Sequence, residues 1–152
     1  MPETRGEQMS ASGGDPADRV IDCVFLTCFE GDFSYFANIL RYSEVRMHHA
    51  ETLEETDFLL TVTGSTVLLT DIVFPEGTWA DVLDMTVKVH PLVAALVVAD
   101  EVDRDFVAGA VGRGACGILW KPLELHQTGR LIRAAHEAAC ERMIRQKGAL
   151  VA

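Results

Sequence analysis

The sequence predicts a doubly wound α/β domain on a five-stranded parallel sheet, and three features of the 152-residue chain predict it. From Val20 onward, short apolar runs alternate with longer amphipathic ones, the order expected of successive βα units. Residues 66–71 and 92–98 are almost continuously apolar, as strands covered by helices on both faces must be. Gly and Pro punctuate the joins, notably at Gly64, Pro75, Gly77, Gly112 and Gly114.

Residues 1–19 are rich in Gly, Ser, Pro and charge and nearly free of large apolar groups, so they read as a flexible tail that cannot repay its ordering entropy. The domain is expected over 20–147. Residues 20–27 combine β-branched and aromatic side chains as a first strand, and Phe33, Phe36, Ile39 and Leu40 follow at helical spacing. A weaker second strand covers 45–49. A short helix over 51–60 begins with acids that suit its dipole and ends before Gly64. The third strand, 66–71, should be central and ends on Asp71. Pro75 and Gly77 precede a helix over 79–89, and 92–98 forms the fourth strand. A fourth helix is expected over 102–111, stopped by Gly112 and Gly114; residues 116–120 form the fifth strand, and a long last helix runs from about Leu123 to Lys147.

Composition narrows the function. With 13 Lys and Arg against 23 Asp and Glu, a net charge of −10 excludes a phosphate-backbone binder, so no nucleic-acid partner is expected. No signal pattern and no apolar run long enough for a membrane span is visible, which predicts a cytoplasmic protein. Cys23, Cys28, Cys116 and Cys140 lack the spacing of a zinc site or a disulfide framework. His48 and His49, as neighbours on a strand, face opposite sides and do not share a metal.

Open parallel sheets build their sites beyond the carboxyl ends of the strands. The residues converging there are Cys28, Phe29, Glu30, Asp71, Ala99, Asp100 and Lys121. The stretch 68–77 (LLTDIVFPEG), the strand LVVA at 96–99 and the run GACGILWKP at 114–122 resemble a response regulator receiver domain of the chemotaxis, CheY-like type, over roughly residues 20–137. That resemblance implies the flavodoxin-like strand order 2-1-3-4-5. It also implies a phosphoacceptor role for Asp71, Lys121 as partner of the phosphoryl group or of Asp71, and Mg²⁺ at the site. Positioning and charge neutralisation dominate phosphoryl transfer, which is why a metal and a cation belong beside such a carboxylate.

The sequence departs from the family pattern where this chemistry lies. Cys28 and Phe29 stand where the resemblance expects two acids, leaving Glu30 one residue beyond as the candidate metal ligand beside Asp71. Ala99 replaces a hydroxyl residue and cannot donate a hydrogen bond. Ile118 replaces the aromatic that usually follows that hydroxyl. The resemblance, with these departures, implies an atypical, stand-alone receiver-like domain of a two-component phosphorelay, acting through protein–protein interaction and not as an enzyme, with phosphorylation of Asp71 impaired or absent.

Alternatives remain at this level. Asp71 reads equally as the salt-bridge partner of Lys121, and Glu30 and Asp32 as a solvated helix N-terminus. A functional Mg²⁺-dependent phosphoacceptor and, from another class, a small-molecule-binding α/β domain using a Phe29-lined pocket are the competing functions. Leu125, Ile132, Ala135, Ala139, Met143 and Ile144 continue an apolar pattern along the last helix, which suggests a protein partner such as a sensor kinase or downstream target, or a homodimer through helix four, strand five and helix five.

Overall fold

In the computed structural model, residues 20–41 and 43–151 are described; the tail expected over 1–19 lies outside them. In chain order the elements are β1 (Ile21–Leu26), α1 (Glu30–Ile39), β2 (Val45–Ala50), α2 (Leu53–Thr63), β3 (Val67–Thr70), the short strands β4 (Val73–Phe74) and β5 (Gly77–Thr78), α3 (Trp79–Val89), β6 (Ala94–Ala99), β7 (Gly117–Trp120) and α4 (Leu125–Val151). Five strands form a parallel sheet in the order β2-β1-β3-β6-β7, so the chain winds outward from β1 in both directions. This is the predicted doubly wound arrangement.

Strand periodicity divides the core between two faces. Ile21, Cys23 and Phe25 of β1 point to one side, where Phe36 of α1, Leu40 at its end and Ile132, Ala135 and Ala139 of α4 cover them. Val24 and Leu26 point to the other, against Leu60 of α2 and Trp79, Val82 and Leu83 of α3. Every residue of β3 and β6 is buried, which explains their unbroken apolar runs. Each fully buried Leu, Ile or Val contributes about 1.5–3 kcal/mol, so the two half-cores fix the strand ends rigidly.

Local signals set the helix limits. Thr52 caps α2 by accepting the amide of Glu55 at 3.0 Å, and Gly64 closes the helix with a left-handed φ of 67° that its missing side chain permits. Thr78 and Asp81 form a reciprocal capping box at the start of α3. Pro75 and Glu76 turn the β4–β5 hairpin, in which Val73 pairs with Thr78, a feature the sequence shows only as a break.

One expected element is absent. The predicted fourth helix over 102–111 is a chain of tight turns, with 3₁₀ turns at Glu101–Asp103 and Val111–Arg113. Most of its bonds span three residues, including Ala108 to Asp105, Ala110 to Val107 and Gly114 to Val111. The reason lies in its apolar positions. Val107 and Ala110 are buried, whereas Val102, Phe106 and Val111 are 91%, 51% and 61% exposed, so there is no continuous apolar stripe to hold an α-helix against the sheet.

The last helix starts two residues later than expected and carries core further along. Ala139 and Cys140 are still buried, whereas Leu125 and Ile144 are exposed. Much of the apolar pattern that suggested a partner surface is therefore intramolecular packing.

Candidate functional site

The site lies where the carboxyl ends of β1, β3, β6 and β7 meet. Parallel pairing aligns Leu26 with Thr70, so the next rung sets Thr27 beside Asp71, and the Asp71 amide donates to the Leu26 carbonyl at 3.0 Å. Thr27 is fully buried and Asp71 is 5% exposed. The Thr27 hydroxyl donates to Asp71 Oδ2 at 2.5 Å and accepts the amide of Phe29 at 3.1 Å. A single hydroxyl thus ties the end of β3 to the start of α1.

Thr27 is the residue that the sequence reading missed. Cys28 and Phe29 are expected at the acid positions, but the register moves the contact one residue back, onto the hydroxyl. Cys28 points elsewhere, with its sulfur 3.9 Å from the Glu51 carbonyl. Burial and the charges of Asp71, Glu51 and Glu76 push its thiol pKa up, which disfavours the nucleophilic thiolate. Phe29 caps α1 without a side-chain bond and stands 62% exposed at the mouth of the site.

Lys121 follows β7, where its amide donates to the Ala99 carbonyl at 2.9 Å and its peptide bond to Pro122 is cis. Its ammonium donates to Asp32 Oδ2 at 3.2 Å, so of the two roles open to Lys121 the salt bridge with Asp71 is replaced by one with Asp32. The cause is the start of α1 at Glu30, which puts Asp32 in the first helical turn and facing β7. Lys121 still acts on Asp71 through space. Burial raises the Asp71 carboxyl above its ordinary pKa, the Thr27 hydrogen bond and the Lys121 charge oppose the rise, and the Asp32 charge adds to it.

Phe29, Asp71, Ile72, Val73, Val98, Ala99, Asp100 and Lys121 line a groove of about 270 Å³. Ala99 is buried in its wall and presents a methyl, so no side-chain hydroxyl faces Asp71 from β6. Ile118 is half-buried on β7, packed against the core cluster of α2 and α3. Trp120, two residues further on, packs on that cluster with the Arg104 guanidinium over its ring at 5.0 Å. His48 and His49 take separate roles, His48 pairing with Asp22 at 3.0 Å and His49 donating to the Thr27 carbonyl at 2.9 Å while stacking on Phe33.

The Mg²⁺ implied by the family resemblance does not fit these residues. Magnesium needs carboxylate, phosphate and water oxygens in near-octahedral array. Glu30 is exposed on α1, one Asp71 oxygen is committed to Thr27, and the Asp32 carboxylate is taken by Lys121. Among the described residues, no group of three or more His, Cys, Asp or Glu side chains is arranged to hold a metal. The arrangement instead satisfies its own acids, Asp71 with a hydroxyl hydrogen bond and Asp32 with an ammonium.

No family model matches the sequence, and no curated protein does. Solved structures do. The signal receiver domain of an HD domain-containing protein from Pseudomonas fluorescens Pf-5 superposes with a TM-score of 0.77 at 16% identity, covering 88% of this chain and 99% of that one. A response regulator receiver domain protein from Clostridium thermocellum gives 0.70 at 19% identity, covering 77% and 94%. The beryllofluoride-activated NtrC4 receiver domain dimer gives 0.70 at 21% identity, covering 78% and 98%. With the β2-β1-β3-β6-β7 order and a buried aspartate closing the central strand, the chain has the fold of response regulator receiver domains.

Proposed function

We propose that this chain is an atypical receiver-like signalling domain of a two-component phosphorelay pathway, cytoplasmic, working through protein–protein contact with Asp71 phosphorylation impaired or absent. One observation carries the reading: the hydroxyl of Thr27 occupies Asp71 Oδ2 where an acid would be needed to help bind a metal. Ala99 and Lys121 support it, the first lacking a hydroxyl and the second held by Asp32. The described carboxylates are not grouped to hold the metal that would neutralise charge at a transferring phosphoryl group. The domain then signals by its shape and surface rather than by turnover.

The surface that best fits contact with a sensor kinase, a downstream target or a second copy is the turn segment 101–114 with the neighbouring β7 and α4. Val102, Phe106 and Val111 are more than half exposed there, beside the half-buried Trp120. The activated NtrC4 receiver domain is a dimer, which makes self-association the first case to examine. Among the described residues no helix is long and apolar enough to cross a membrane.

A ligand-binding role keeps one observation in its favour, the open groove beside exposed Phe29. Amide chemical shifts on adding beryllofluoride with Mg²⁺ test the main reading. It predicts no response at Asp71, Ala99 and Lys121, and a saturable change at those positions would restore the phosphoacceptor. Sedimentation of the full chain against Phe106→Ser tests the surface: loss of self-association or of kinase binding is expected, and identical behaviour removes the segment from consideration.

A further inference from the structure

We propose that Asp32 sets the ion preference of the groove by holding the Lys121 ammonium, so that an oxyanion can bind only after this carboxylate lets go. The inference deepens the reading above and rests on it in taking the groove over Asp71 as the functional site. Lys121 is a groove residue, yet its ammonium is satisfied from the side by Asp32 at 3.2 Å. Asp71 and Asp100 line the same groove and add negative charge that an entering anion has to face. Asp32 is therefore an internal competitor that a phosphate-like group must displace.

Geometry makes the competitor releasable. The Lys121 and Asp32 side chains are 32% and 36% exposed, so their pairing is partly screened by water. An exposed or half-exposed pair of this kind changes an equilibrium by up to roughly fivefold, and removing a repelling charge close to the entering anion adds to that. Asparagine at 32 keeps the shape and one hydrogen-bond acceptor but drops the charge, so the expected gain in anion affinity for Asp32→Asn is about threefold to tenfold. The Thr27–Asp71 hydrogen bond is kept and the core is not entered, while Asp71 loses the Asp32 charge that helps to raise its pKa.

The test uses the full 152-residue chain, isotope-labelled, titrated with inorganic phosphate at constant ionic strength without Mg²⁺. Amide shifts of Asp71, Ala99, Asp100 and Lys121 report binding. The proposal expects a phosphate midpoint about threefold to tenfold lower in Asp32→Asn than in the unaltered protein, and loss of that gain in Asp32→Asn with Lys121→Met. Equal phosphate binding by the unaltered protein overturns it, as does an unresponsive Asp32→Asn, or a gain that survives Lys121→Met. Because no covalent transfer occurs under these conditions, a failure here is separate from a beryllofluoride response with Mg²⁺, which would instead overturn the impaired-phosphorylation reading.

Discussion

The Thr27 hydroxyl donates to Asp71 Oδ2 at 2.5 Å across the seam between β1 and β3, and both groups are buried. A strand-end carboxylate in a domain of this fold is thereby held by a neutral donor from the adjacent strand. The contact stabilises the charged form, but burial outweighs it, and the Asp71 pKa remains raised. The pair acts as structure first.

Replacing Thr27 with Val, nearly its equal in shape, removes the donor and leaves Asp71 Oδ2 buried without it. The expected cost is about 1–3 kcal/mol, the penalty for an unsatisfied buried acceptor. Urea denaturation measures it. A change within a few tenths of a kcal/mol would show that water reaches Asp71 freely.

Asp71→Asn carries a pH signature. The folded carboxyl has a raised pKa, so the folded state binds its proton more tightly than the unfolded state does. Its contribution to stability is present below the ordinary value near 3.8 and is lost as pH rises through the raised folded value. Asparagine keeps an oxygen for Thr27 and carries no charge. The variant is thus expected to be at least as stable as the parent at neutral pH, with the difference disappearing on acidification below that window. Denaturation midpoints across pH check this, and an Asn variant that is less stable at neutral pH while matching the parent in acid would contradict it.

Along α4 the core and the exposed part separate cleanly. Ile132 is fully buried against the sheet, and Ile144 is 64% exposed. Ile132→Ala should cost about 2–5 kcal/mol through lost burial and a cavity. Ile144→Ala should stay within about 0.5 kcal/mol in the monomer, because surface substitutions away from packing do little. Thermal unfolding of the two variants distinguishes them, and comparable losses would mean that the distal helix packs on a second copy.

Much of this was legible in the residues. The unbroken apolar runs of β3 and β6, the stop at Gly64 and the bounds of α3 follow from local chemistry that tertiary contacts do not override. Asp71 and Lys121 could be placed because strand exits in a parallel sheet converge. Three things needed coordinates. The partner of Asp71 depends on β1–β3 register, which sets Thr27 rather than Cys28 on its rung. The partner of Lys121 depends on the turn at which α1 begins, which turns Asp32 toward β7. Segment 101–114 has helix-compatible composition, and only the exposure of Val102, Phe106 and Val111 reveals why it settles into turns.

The most direct test of impaired phosphorylation is intact-mass measurement of the protein after incubation with acetyl phosphate and Mg²⁺, alongside Asp71→Asn. Neither protein is expected to gain a phosphoryl group, because no described carboxylates are grouped with Asp71 to hold a metal, Ala99 offers it no hydroxyl from β6, and Lys121 is paired with Asp32. A phosphoryl adduct that accumulates on the unaltered chain and is missing from Asp71→Asn would contradict it.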